Sequence, residues 1–365
     1  MNLAAPQTLG APQTLTPPRE IRVQSPYDGR LVGQLAEASP AEVLATLHRA
    51  RKAAAGFRDS TPAQRRALLN TLADLIRRDA TALAQILSAE MGKTITEARG
   101  EVRRAQNTLR LSGDAATFLD GEVLHCAIVE GGADRQAVVT LKPVGVVAAI
   151  TPFNYPLNLL CHKLGPAIAA GNAVVAKPSP KAPLTADHLV RLCAEAGFPR
   201  DLVQVLHGGA EVALALARGP IDLLSFTGGP GAGLALKRAS GLVRSLMELG
   251  GNDPLIVMPD ADLDAAAATS VAHRYEIAGQ SCAAVKKLWV HEAVRDEFTQ
   301  RLEARVRALR WGNPADDETQ MGPVIDQPAA DEVMARIDEA RALGARLLAG
   351  GSRDGALIAP PLLAD

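Results

Sequence analysis

Between Gly145 and Ser240 short apolar runs alternate with amphipathic segments: "GVVAAI" then "LNLLCHKLGPAIAAG", "NAVVAKPS" then "PLTADHLVRLCAEAG", "LVQVLHG" then "AEVALALARG", "DLLSFTGG" then "GAGLALKRAS". Strand–helix units of this length leave few arrangements. Consecutive strands joined by helices run parallel, and a parallel sheet needs cover on both faces, which gives a doubly wound α/β domain. Ligands of such sheets bind beyond the carboxyl ends of the strands. The residues just past each strand are therefore where chemistry is expected.

Ahead of the sheet the pattern is helical. "SPAEVLATLHRARKAAAGF" opens with a Ser cap and Pro in the first turn, "TPAQRRALLNTLADLIRRDATALAQILSAEMGK" reads as a capped pair, and "TEARGEVRRAQNTLRLSGDAATFL" as a third amphipathic segment. The texture then turns to strand, and a Gly-Gly-Ala-Asp turn makes residues 126–145 a hairpin candidate. A second α/β unit begins with "DPLIV". A chain of 365 residues is too long for one simple core. The expected division is a tail at 1–20, a first domain at 21–250 interrupted by the hairpin, and a second at 251–365.

The tail carries the duplication "APQTL", Gly10, "APQTL", too polar to offset chain entropy by burial, and lacks the apolar block of a secretory signal. No apolar stretch approaches the roughly 20 residues of a membrane-spanning helix. The net charge of -1 gives no reason to expect nucleic acid or a membrane as partner. Cys126, Cys161, Cys193 and Cys282 lack the spacing of a zinc site or a disulfide framework, so no metal and a cytoplasmic, reducing location are expected.

Cys282 follows the small run Gly279-Gln280-Ser281 and precedes the strand-like "KKLWV". Its thiolate would be a nucleophile, although a lone cysteine is more often a small buried hydrophobe. Asn154, in "TPFNYPLN" between Pro152 and Pro156, follows the strand "VVAAI" and has an amide able to donate to an oxyanion, or simply to hold a rigid turn. Glu248 lies among Leu246, Met247 and Leu249. Apolar company would raise its pKa and suit a general base, whereas exposure would make it an ordinary strand residue. Lys177 ends the strand "VVAK", and the glycines of "SFTGGPGAG" open a helix whose N-terminus admits phosphate.

The order Asn154, Lys177, "FTGG", "ELGG", "GQSC" resembles that of the aldehyde dehydrogenase superfamily, from about Val23 to Asp365. The resemblance implies that fold, with a doubly wound cofactor domain, a second α/β catalytic domain and the hairpin as an oligomerisation element. It implies oxidation of an aldehyde to the acid with NAD or NADP through a cysteine thioester. Cys282 would be the nucleophile, Asn154 and the Cys282 amide the oxyanion donors, each worth ~3 kcal/mol, and Glu248 the base that activates water. Relatives that pass the acyl group to coenzyme A usually lack this glutamate. Cofactor contacts are implied for Thr151, Pro152, Phe153, Lys177, Ser179, Pro180, Phe226, Thr227, Gly228, Gly229, Gly233 and Leu249. Substrate contacts are implied for Tyr155, His162, Arg104 and Ser281.

The nearest branch oxidises small polar or anionic aldehydes such as lactaldehyde, succinate semialdehyde and, without phosphorylation, glyceraldehyde 3-phosphate. Relatives acting on phosphorylated substrates often carry Arg where Ser281 stands, which turns the expectation away from a doubly charged substrate. NAD-preferring relatives commonly carry Glu where Pro180 stands; without it a 2′-phosphate meets no repulsion and NADP should be accepted. The family also continues past "PPLLAD" with an "EIFGP"-like motif, a Phe-Gly-Gly segment and the last strand of its oligomer interface. The chain is thus expected to be C-terminally truncated, with the family's homo-oligomer weakened. Two functional readings follow: an active dehydrogenase, or a relative that binds cofactor without turnover.

Overall fold

Ser39, Thr61 and Thr94 each precede a Glu or Gln by three residues, the spacing at which side chains and amides close a helix's first turn reciprocally. In the computed structural model, which describes residues 19–364, all three do so. After an antiparallel pair, β1 (Glu20–Gln24) and β2 (Leu31–Ala36), Ser39 and Glu42 open α1 (Pro40–Phe57), and Thr61 and Gln64 open α2 (Pro62–Arg78). Next come α3 (Ala80–Met91), ended by left-handed Gly92, and α4 (Ile95–Ala115), opened by Thr94 and Glu97. Residues 1–18 of the expected tail lie outside the described residues. Its last residue, Glu20, already pairs in β1.

The hairpin opens earlier than the expected 126–145. Its strands are β3 (Glu122–His125) and β4 (Gln136–Val139), with Glu122 opposite Val139 and His125 opposite Gln136. Cys126–Ile128 form a 3-10 turn, and Ile128 and Val129 are exposed. With no face to bury, the segment satisfies its amides in local turns rather than in a ladder.

The expected alternation follows: β5 (Val146–Ile150), α5 (Pro156–Ala169), β6 (Ala173–Lys177), α6 (Leu184–Glu195), β7 (Val203–Val205), α7 (Ala210–Arg218), β8 (Leu223–Thr227), α8 (Pro230–Ser240) and β9 (Arg244–Glu248). All five strands pair in parallel in the order β7-β6-β5-β8-β9. Every residue of β5 and β6 is buried, as cover on both faces demands, while the edge strand β9 alternates between exposed and half-buried residues. The chain steps outward from β5 to β7, then returns to β8 on the other flank of β5. The carboxyl ends of β5 and β8 therefore form a topological switch point.

The largest apolar cluster joins both faces of this sheet to α1 through α8. A second gathers Val257 of β10 (Asp253–Val257), Val271 and Tyr275 of α9 (Leu263–Tyr275), and Phe298, Leu302 and Val306 of α10 (Arg295–Arg307). There β10 pairs in parallel with β11 (Val285–Val290). The described chain closes with α11 (Gln327–Ala342), β12 (Arg346–Ala349), which pairs with β15 (Leu362–Ala364), and the pair β13 (Arg353–Asp354) and β14 (Leu357–Ile358). Among the described residues no helix is long and apolar enough to cross a membrane, and no cluster of His, Cys, Asp and Glu is arranged to hold a metal ion.

Candidate active site

The loop after β5 leaves the sheet at the switch point, where Thr151 N donates to Lys177 O at 3.2 Å. Pro156 at the first turn of α5 fixes how the loop re-enters helix. Between them Asn154 is buried, its Oδ1 accepting from Tyr155 N at 3.0 Å and its Nδ2 donating to Gln280 O at 2.9 Å. The second Nδ2 hydrogen remains for another acceptor.

Gln280 belongs to the segment between α9 and β11 that presents Cys282. Ile277, Ala278 and Gly279 have φ of 52°, 51° and 78°, a left-handed turn of which only the glycine is at ease. Ser281 is buried and Cys282 is exposed. Lys286 Nζ donates to Cys282 O at 2.7 Å, and a Cβ on Gly251 would lie 3.6 Å from the same oxygen. The "ELGG" loop and the cysteine loop therefore touch. Burial pushes the Cys161 and Cys193 thiols up, away from thiolate chemistry. Of the four free cysteines only Cys282 is exposed, Cys126 being half-buried.

Glu248 ends β9 and is exposed, with Gly228 N donating to its carbonyl at 3.1 Å. The apolar company read from its neighbours gives no burial: on this edge strand Leu246 shares the Glu248 face and is itself exposed, Met247 turns to the other side, and Leu249 lies exposed past the strand. The Glu248 charge still acts on α5. Burial lowers the pKa of Lys163 to about 8, and Glu248 opposes that shift. Partial desolvation, then Arg104 and Lys163, lower that of His162, again against Glu248.

Lys163, absent from the sequence candidates, is buried and donates to Ser225 Oγ at 3.1 Å. A signal was available. It occupies the apolar face of α5, between Leu160 and Ala167, where helical periodicity asks for a hydrophobe. The substrate candidates Arg104 and Tyr155 come together, the guanidinium 5.1 Å from the ring centroid, and Tyr155 OH donates to Glu276 Oε1 at 2.7 Å. His162 is exposed on α5, electrostatically coupled to Arg104.

The strand ends also fit a dinucleotide. Lys177 is buried, spends two N–H groups on Pro178 O (2.8 Å) and Gly208 O (2.7 Å), and keeps a third. Burial lowers its pKa to about 8, with Glu37 opposing. Thr151 Oγ1 is buried without a partner. Gly229 caps α8 with no side chain in the way, and a Cβ there or on Gly231 would meet open space, as close approach of a phosphate requires.

The neighbouring glycines have a different task. A Cβ on Gly228 would come within 2.5 Å of the Phe226 ring and one on Gly233 within 2.9 Å of Leu249, so these two serve packing. Thr227 lies opposite Glu248 in the β8–β9 ladder. Ser179 and Pro180 turn the chain after β6, Ala182 N donating to Ser179 O at 3.2 Å, and half-buried Phe153 packs with Tyr155 against Met91 and Ile277.

Three comparisons bear on this geometry. The sequence model of the "Aldehyde dehydrogenase family" matches residues 14–365. Aspartate-semialdehyde dehydrogenase 1 of Pseudomonas canavaninivorans is 42% identical over 336 residues, 92% of this chain and 72% of the relative. A 3-sulfolactaldehyde dehydrogenase of Priestia megaterium is 40% identical over 329 residues, 88% of this chain and 69% of the relative. Among solved structures, NADP-dependent glyceraldehyde-3-phosphate dehydrogenase from Bacillus halodurans, complexed with NADP, superposes with a TM-score of 0.92 at 34% identity, covering 94% of this chain and 73% of that one.

Proposed function

The chain belongs to the aldehyde dehydrogenase family, and from that premise we propose that it oxidises a small polar or anionic aldehyde to its carboxylic acid with NAD or NADP, Cys282 acting as the nucleophile. The observation that carries the reading is the convergence of two loops: Asn154 Nδ2 donates to the carbonyl of Gln280, two residues before the one exposed thiol. The Cys282 thiolate attacks the aldehyde carbon, forming a C–S bond as the carbonyl electrons move to oxygen. The free Asn154 N–H and the Cys282 amide hold that oxyanion. Lys177 and the α8 N-terminus would hold a nicotinamide cofactor, which would supply the hydride acceptor, and Cys282 would keep the acyl group as a thioester. Glu248, exposed to water, removes a proton from the water that releases the acid.

In this reading residues 21–250 carry the cofactor and 251–365 present the thiol. Lys177 and the α8 N-terminus take the ribose and pyrophosphate, and Pro180 leaves room for a 2′-phosphate. Support for an anionic substrate comes from Arg104 against Tyr155, and from relatives whose names specify aldehydes bearing a carboxylate or a sulfonate. Exposed Val123, Ile128 and Val138 on the hairpin support self-association, and four free cysteines suit a reducing cytoplasm.

The test is nicotinamide reduction by the purified chain with a panel of small aldehydes and each cofactor. Turnover should be fastest with monoanionic aldehydes. Folded protein that turns over none of them with either cofactor overturns the proposal.

A further inference from the structure

Three residues before Cys282 the backbone completes a left-handed turn that two of its members resist. Ile277 and Ala278 both have positive φ. A Cβ in that region is strained, and a β-branched residue there is an outlier. Such a conformation persists only when its surroundings over-determine it. Here they do so from several sides. The Ile277 side chain is buried among Met91, Ala182 and Ile325. Its carbonyl accepts from Gln280 N and Gln280 Nε2, both at 3.0 Å. Gln280 Oε1 accepts from Ile325 N at 3.0 Å, and Gln280 O from Asn154.

The remaining tie is the Ile277 N–H. It donates at 2.8 Å to Glu97 Oε1, from a helix 180 residues earlier in the chain. The two oxygens of Glu97 have separate duties. Oε2 accepts from Thr94 N (2.9 Å) and Thr94 Oγ1 (3.0 Å), completing the capping box of α4. Oε1 is left to face the cysteine segment. One turn further along α4 the arrangement repeats: Glu101 Oε1 accepts from Leu157 N (2.9 Å) and Asn158 N (3.0 Å) at the start of α5, while Oε2 pairs with buried Lys93. α4 thus grips both sides of the site, the Asn154 side through Glu101 and the Cys282 side through Glu97.

We propose that Glu97 is a positioning residue for Cys282, its carboxylate fixing the Ile277 amide and so the left-handed turn that aims the thiol. The inference rests on Cys282 being the nucleophile. It predicts that losing Oε1 lets residues 277–279 relax toward negative φ and swings the thiol away from Asn154, with no effect on the cofactor loops.

The experiment compares Glu97→Ala, Glu97→Gln and Thr94→Ala with the unsubstituted chain. Four quantities are read: kcat, cofactor KM, the melting temperature, and the rate at which iodoacetamide alkylates the Cys282 peptide, followed by mass spectrometry. Glu97→Ala should lower kcat and the alkylation rate about tenfold each, a change of about 1.4 kcal/mol, with cofactor KM within twofold. Thr94→Ala, which weakens the same cap and leaves Oε1 in place, should lower thermal stability and leave both rates within twofold. Ala278→Gly added to Glu97→Ala should restore at least threefold of each rate, because glycine adopts the left-handed turn without strain. If Glu97→Ala does not fold, Glu97→Gln, whose one carbonyl oxygen cannot serve both Ile277 and Thr94, carries the same comparison. Unchanged kcat and alkylation in the Glu97 variant that folds, or no recovery with Ala278→Gly, overturns the proposal. An unsubstituted chain without turnover, but with Glu97-dependent alkylation, would instead count against the dehydrogenase reading and leave the positioning role standing.

Discussion

The two walls of the candidate site are built by opposite means. The loop from Thr151 to Tyr155 hangs from the centre of a five-stranded sheet, between fully buried β5 and a helix started by Pro156. Its geometry follows mainly from its strand and its helix start, the latter gripped by Glu101 of α4. The segment from Glu276 to Ala284 leads into β11, the second strand of the two-stranded β10–β11 pair, and contains a strained turn. It is held by side chains from elsewhere: Glu97, Asn154, and Gln280 bridging to Ile325. Sheet-borne loops come rigid, whereas a cross-linked loop is only as rigid as its distant partners. The proposed nucleophile therefore sits on the wall easier to perturb.

Perturbations of the chemistry, of the tie between the walls and of the sheet wall alone should rank in that order. Cys282→Ala should reduce turnover by roughly 10⁴-fold or more with an unchanged melting temperature, since the side chain is exposed and no part of either wall rests on it. Asn154→Ala should cost about 10²–10³ in kcat, and because Asn154 also ties the walls together, it should slow Cys282 alkylation as well. Normal alkylation in Asn154→Ala would mean that the cysteine wall stands without that tie. Lys177→Met touches only the sheet wall. Losing one charged hydrogen bond should raise cofactor KM about tenfold and leave alkylation alone. With its pKa near 8, the unsubstituted chain should lose cofactor affinity as pH rises through 8 and the ammonium discharges, a dependence absent in the variant.

The same division separates what the sequence tells from what it hides. The α/β alternation, the positions of Asn154 and Lys177 at strand ends, and the cap at Ser39 are local patterns, and each appears in the structure where its residues call for it. Ile277 gives no such sign, because nothing about a β-branched residue announces positive φ; Gly279 alone hints at a turn. Thr94 and Glu97 have only the spacing of a helix cap, and nothing in that spacing points to the second carboxylate oxygen's partner far along the chain. Glu248 misleads in the reverse sense: Leu246, Met247 and Leu249 look like apolar surroundings in one dimension, yet on an edge strand Leu246 and Leu249 are as exposed as Glu248 and Met247 turns to the other face. Lys163 is the one hidden residue with a local signature, a charge where the face of α5 is apolar. Sequence pattern recovers what the backbone dictates locally and misses what non-local hydrogen bonds impose.

The smallest effect is expected from a carboxylate that braces the sheet wall from behind. Glu90, fully buried in α3, accepts from Leu184 N at 2.7 Å and Thr185 N at 3.2 Å and pairs with Thr185 Oγ1, fixing the start of α6 just past the Ser179–Pro180 turn. Burial lifts its carboxyl from 4.5 to about 7, against the pull of those hydrogen bonds, with the Glu101 charge adding to the rise. A carboxyl raised on folding binds its proton more tightly in the native state. Its stabilising contribution is thus complete below pH 4.5 and lost as pH climbs through 7. Glu90→Gln mimics the protonated form, so thermal melts should show the parent chain falling relative to the variant between those limits, by about 2 °C or more. Cys282 alkylation in the variant should match the parent's at every pH, because Glu90 supports the other wall. A pH-dependent change in alkylation upon Glu90→Gln would show that the two walls are mechanically one, and would erase the contrast between a sheet-borne and a cross-linked loop.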